Sequence, residues 1–316
     1  MHHSTYLFTL VWHLLFGFVA SLAYCAATGY AVWLFEPSNL QQYVEAFVAS
    51  FNCVISGGLI IGAATFVFTT QKTIPLTIET AVDRETLAGT EFQKQKRRYL
   101  STARSLTFST DFIVIGFFIF YFCKFPLSGI AERFLIAFSC LEYALGAYIG
   151  RKLFYIAHML HSISNIRVTK NIFRESELNS IITYVNILST LTVIFVYVNV
   201  NSYYGGPFLY SSILSAPLKI ILLLPAVIAT PVLVLFNFYP RTVLRQLYSR
   251  SIADEVARLT EALRNEYLSD IERMSFVIAY DRLAKDELKG MLQLSLSDLP
   301  MGVTIIVMII GLLIKA

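Results

Sequence analysis

The chain has 316 residues, of which 56% are hydrophobic and 15% are charged, and its formal net charge is +4. Soluble domains carry about 25% charged residues, so the composition places the chain in the membrane class before any motif is read. No basic cluster stands apart from an apolar flank, which leaves a nucleic-acid partner without support.

Apolar runs predict membrane-spanning helices at about 6–35, 44–70, 108–125, 134–160, 181–203 and 209–238, with a last one inside 298–316. The first run has no basic leader. At about 30 residues it exceeds the ~7–15 of a secretory core, and it is read as a retained span. The last run, 300–315, is about 16 residues, short of the usual ~17–25, and spans only if Leu294, Leu296 and Leu299 join it. The expected fold is all-α. It is a polytopic membrane helix bundle of about seven transmembrane helices, with 239–297 forming a cytosolic amphipathic helical module between the last two.

Lys and Arg set the orientation. Of the 25 basic residues, 21 fall in three alternating connections, 71–107, 151–179 and 239–299. The positive-inside rule puts those three in the cytoplasm. The N-terminus is then inside, the C-terminus outside, and the plasma membrane is the expected location.

Small residues let helices approach closely in lipid. Gly17, Ser21, Cys25 and Gly29 recur every fourth residue in the first span. Gly58 and Gly62 form a GxxxG pair in the second span, and Gly146 and Gly150 another in the fourth. These are candidate packing faces, either inside the bundle or between copies.

Glu142 lies well inside the fourth apolar run, and its i+4 neighbours are Gly146 and Gly150. It therefore points at a packed face. An ionisable group at such a depth is expensive and marks a candidate functional site. Lys219 in the sixth run lies at a similar depth, so Glu142 and Lys219 form a candidate intramembrane pair. The alternative is a Glu142 held by hydrogen bonds and a Lys219 that reaches out to the interface. The sixth run also carries Pro217, Pro225 and Pro231. Each removes a backbone donor and bends the helix, which makes them a candidate hinge leading into the cytosolic module.

His158 and His161 sit three residues apart at the inner end of the fourth run, with no carboxylate or thiol near in sequence. An interfacial hydrogen-bonding role fits them better than a metal. The four cysteines lie in apolar runs without a CxxC pair, so they are expected as buried thiols. Phosphate loops, nucleophile elbows and HExxH motifs are all absent. The expectation is a non-enzyme with no catalytic residues, no metal and no cofactor.

In the module, apolar residues at 252, 256, 259, 263, 267, 271 and 274 define one helical stripe. A second stretch runs from 281 to 296. Acidic and basic residues nearly balance over 239–299, at ten against nine, unlike a polybasic lipid-binding arm. The helices of 252–296 are therefore expected to pack on themselves, on a second copy or on another protein partner, with the bilayer as the remaining partner. In outline, this arrangement of spans, termini and a submembrane helical module is similar to that of insect chemoreceptor channels. The likeness is one of topology and carries over no functional residue. A channel or transporter is the expected function, with a non-conducting scaffold or sensor as the alternative.

Overall fold

The computed structural model describes residues 3–41, 43–44, 51–82, 87, 90–101, 130–163 and 175–204. It also describes 239, 242–243, 246, 250, 253, 256–261, 264, 274–275, 277–279 and 281. The expected spans at 108–125, 209–238 and 298–316 lie outside the described residues, and with them Pro217, Lys219, Pro225 and Pro231. The described elements are all helical: α1 (His3–Phe35), a 3-10 turn (Pro37–Asn39), α2 (Phe51–Thr70), α3 (Thr73–Val82), α4 (Glu91–Leu100), α5 (Ile130–Ile163) and α6 (Glu175–Tyr204).

Helix α1 contains no Pro, Asp, Glu, Lys or Arg over its 33 residues. It stops where Pro37 makes the helical conformation costly for Glu36, which leaves the helical region at φ −140° and ψ 62°. The chain then folds back. Tyr43 donates its hydroxyl to the Cys25 carbonyl at 2.6 Å, and its ring lies against Gly29, where a Cβ would come within 3.0 Å of it.

Helices α1 and α2 are antiparallel neighbours. His13 meets Thr69 at 3.0 Å, Gly17 faces Gly58 and Gly62, and Ser21 faces Gly57. A Cβ on Gly17 would lie 2.3 Å from the Gly58 carbonyl oxygen and 2.6 Å from the Gly62 nitrogen. Both are backbone atoms that cannot turn aside, so glycine is needed here for the helices to touch.

Helix α2 breaks after Thr70, and α3 leaves at an angle of 50°. Pro75 falls in the first turn of α3, where its missing N–H costs nothing. Ile74 and Ile78 are buried one turn apart, and α4 buries Phe92, Gln95 and Tyr99 at the same helical spacing. In α5 the buried stripe is Ile149, Leu153, Ile156, Leu160 and Ile163. These faces meet Phe66 and Tyr184, whose rings stack at 5.4 Å, so the core thickens toward the Thr70 end of the bundle.

By length and apolarity, one described helix (Phe8–Phe35) is able to cross a membrane. The bent pair Val54–Thr70 and Thr73–Thr80 is a second candidate. Eleven large apolar or aromatic side chains of α1 are exposed, from Phe8 to Phe35. Phe8, Trp12, Leu15, Val19 and Leu22 belong to a single stripe spaced by three and four.

Candidate functional site

Glu142 is carried by α5, twelve residues after Ile130 and ten before Lys152. At 1.5 Å per residue those intervals are about 18 Å and about 15 Å. The carboxyl is thus near the middle of a stretch of about 33 Å. It is 4% exposed. Its Oε1 accepts a hydrogen bond from the Ser56 hydroxyl on α2, 2.7 Å away, and Ser56 is itself buried. Among the described residues no Lys or Arg lies within ion-pair distance of Glu142.

The surrounding wall is tight. A Cβ on Gly57 would fall 2.4 Å from the Phe138 ring and 2.5 Å from the Ser21 hydroxyl oxygen. Phe138 in turn stacks on Tyr24 at 4.7 Å, and Tyr24 donates its hydroxyl to the Phe134 carbonyl at 2.7 Å. Ser21 and Cys25 follow one another on the buried face of α1. The small residues of α1 and α2 therefore let α5 deliver a carboxyl between them.

Gly146 and Gly150, one and two turns further along α5, do not repeat the close approach of Gly17. A Cβ on Gly146 would make ordinary contacts with Ile60 and Phe195 at 3.7 and 3.9 Å, and one on Gly150 would meet nothing within 4 Å. The larger Ile60 and Phe195 side chains fill the space at Gly146, so its backbone is not pressed against a neighbour.

Each end of the same stretch carries a polar clasp. At one end both oxygens of Glu36 accept the Ile130 backbone N–H, at 3.0 and 3.1 Å. A carboxylate at a helix N-terminus satisfies an orphan donor and complements the helix dipole. At the other end Lys152 is completely buried. Its ammonium donates to the Tyr99 carbonyl and, at 3.2 Å, to Gln71 Oε1. It also lies over the rings of Tyr99 and Tyr148, at 4.7 and 5.5 Å. Tyr99 is in the last turn of α4, whose carbonyls have no intrahelical partner. Lys152 thus supplies positive charge to the negative end of α4 and ties it to the α2–α3 break.

The α3–α4 hairpin has its own buried pair. Glu79, 5% exposed, accepts from Lys96 at 2.6 Å and from Gln93 at 3.2 Å. At the open start of α4 the hydrogen bond from Lys94 holds the Glu91 carboxyl below the usual range.

His158 and His161 are not brought to a common ligand. His158 packs on Phe154 with ring centres 4.4 Å apart, while His161 Nδ1 hydrogen-bonds the Tyr239 hydroxyl. That bond joins the end of α5 to the start of the 239–297 segment. In the expected module stripe, Leu259 is buried and Met274 is exposed; beyond the stripe, Val277 and Ile278 are exposed as well.

Lys152 is the buried charge that a count of basic residues for orientation alone passes over. The signal was present, because position 152 falls on the apolar stripe 149–153–156. The Ser56 partner of Glu142 lies 86 residues away and left no local signal. Comparison with protein-family models, curated proteins and solved structures gives no match.

Proposed function

We propose that the chain is an integral membrane protein of about seven spans that works as a channel or transporter, with 239–297 as a cytosolic assembly and gating module. The observation that carries this reading is the Glu142 carboxyl, buried mid-helix with one hydroxyl partner. Such a group is costly in an apolar layer and is expected where an ion or substrate is handled.

Three further observations support the membrane setting. The separation of the Glu36 and Lys152 clasps along α5 is about 33 Å, close to the ~30 Å hydrocarbon thickness of a bilayer. Glu36 meets the first residue of α5 and Lys152 lies about 33 Å further along the same helix, in keeping with connections on opposite sides of a bilayer. The exposed stripe of α1 adds a magnitude. Full burial of one large apolar side chain is worth about 1.5–3 kcal/mol. Eleven of them left largely in water would forgo on the order of 10 kcal/mol, as much as the whole stability of an ordinary domain. Acyl chains remove that deficit.

Planar-bilayer recording of purified wild type beside Glu142→Gln tests the function. Discrete currents altered by the substitution support a path at Glu142. Silence from folded protein across voltage and pH moves the weight to a second reading, a scaffold or sensor that recruits a partner through 252–296. That reading is favoured by the exposure of Met274, Val277 and Ile278.

A further inference from the structure

Among the described residues the Glu142 site offers a short set of polar groups. Ser56 gives one hydroxyl, 2.7 Å from Oε1. On the Gly57 side the wall is closed by Phe138 and Ser21 so tightly that a single added methyl would collide with both. Helices α1 and α2 contain no Asp, Glu, Lys or Arg, and the charge-free run of α6 over 181–204 adds none. Among the described residues, the titratable groups near the site are the Cys25 thiol, buried on α1, and the Tyr24 hydroxyl, committed to the Phe134 carbonyl. On α5 itself Cys140, two residues before Glu142, is also buried.

Ca2+ takes about 6–8 oxygen ligands and Mg2+ about six in near-ideal octahedral geometry; among the described residues no group of three or more His, Cys, Asp or Glu side chains gathers at this site. A proton needs one oxygen and one hydrogen-bonding neighbour. Ser56 suits both states of the acid. Its hydroxyl donates to the carboxylate and, after rotation about its C–O bond, accepts from the protonated carboxyl. The Ser56–Glu142 contact can therefore persist, with donor and acceptor exchanged, while the carboxylate takes up one proton from solution and becomes the neutral acid.

We infer that Glu142, tethered by Ser56, is an exchangeable proton-binding site inside the bundle. This deepens the channel or transporter reading and takes its functional meaning from it.

Infrared difference spectroscopy on the full chain in nanodiscs tests the site without requiring transport. The expected result is a protonated-carboxyl band that appears and disappears as bulk pH is stepped. It shifts in D2O, vanishes in Glu142→Gln, and moves to higher frequency in Ser56→Ala as the hydrogen bond is lost. Replacing Na+ by K+, Ca2+ or choline leaves it unchanged. The Ser56→Ala shift keeps the test decisive if Glu142→Gln fails to fold. Any of three results overturns the inference: no Glu142 band at any pH, a band deaf to bulk pH and D2O, or one that Na+ or Ca2+ displaces at fixed pH.

Proteoliposome currents separate this inference from the reading beneath it. Currents carried by Na+ or K+ with no carboxyl titration would remove the proton site and leave a channel. Titration with no current from any ion would leave the proton site and remove the channel.

Discussion

Replacing Lys152 by Met should release α4 from the bundle. The stem of the side chain is kept, while the ammonium that donates to the Tyr99 carbonyl and to Gln71 is lost. Hydrogen bonds from a charged donor contribute about 1.5–3 kcal/mol each, and the two ring contacts about 0.5–1 kcal/mol more each. Against this stands the cost of burying an ammonium, several kcal/mol, which the substitution relieves. The balance is a loss of about 2 kcal/mol in the docking of α4, or roughly 30-fold in its opening equilibrium. Hydrogen exchange read by mass spectrometry on the full chain in nanodiscs would show it. Amides of 91–101 should exchange about 30-fold faster, while those of α1 and α2 stay as in the wild type. Equal protection of α4 in a folded Lys152→Met protein would refute the reasoning, because the Tyr99 carbonyl would then be satisfied without the lysine.

The glycines give a graded test. Gly17→Ala should cost about 1–3 kcal/mol through overpacking against the α2 backbone, and Gly150→Ala should cost nothing measurable; thermal unfolding in detergent ranks them. Lys96→Met strands the buried Glu79 carboxylate and should destabilise by about 3 kcal/mol, while adding Glu79→Leu recovers part of that loss in a double-mutant cycle. Glu36→Ala removes the acceptor at the α5 N-terminus and should cost about 1 kcal/mol, with Glu36→Gln, which keeps an acceptor oxygen, costing less. For topology, a cysteine at exposed Ser38 should react with a membrane-impermeant maleimide from the outer face, and one at exposed Lys94 from the inner face; labelling of both from one side contradicts the orientation.

What the sequence shows of this fold is its helices and its apolar layer, and the two do not coincide. Hydropathy ends the fourth run at 134 and 160, yet α5 runs from Ile130 to Ile163. Helical hydrogen bonding continues into polar sequence, whereas hydropathy follows only the solvent. The same effect starts α6 at Glu175, six residues before the apolar run. The polar stretch after Thr70 reads as helix-compatible, and the structure divides it into α3 and α4. Its buried Glu79 contact with Lys96 spans 17 residues and a turn, beyond the reach of any periodicity. Glu142 was legible because a charge in an apolar run is rare. Its hydroxyl partner was not, because serine is common in spans and nothing local distinguishes Ser56. The Gly17 face was legible as a stripe. That Gly150 has open space beside it depends on which side chains α2 and α6 bring, and that is tertiary information.

The α2–α3 break gives these local contacts a common consequence. A 50° turn at Gln71–Lys72 would be a loose joint if nothing held it. Here Thr70 Oγ1 lies 3.1 Å from the Tyr184 hydroxyl of α6, and Gln71 accepts from Lys152 of α5. The joint is therefore fixed from two sides by the helices it must stay in register with. Lys152 and Glu142 share one rigid helix, separated by about 15 Å. In the gating reading, a displacement of the α3–α4 hairpin that pulls on Lys152 would be passed along α5 to the Ser56–Glu142 contact, because close-packed interiors transmit strain. In the gating reading, the cytosolic hairpin and the buried carboxyl are two ends of one element. Their coupling is tested by whether Lys152→Met, which frees the hairpin, also moves the Glu142 carboxyl band.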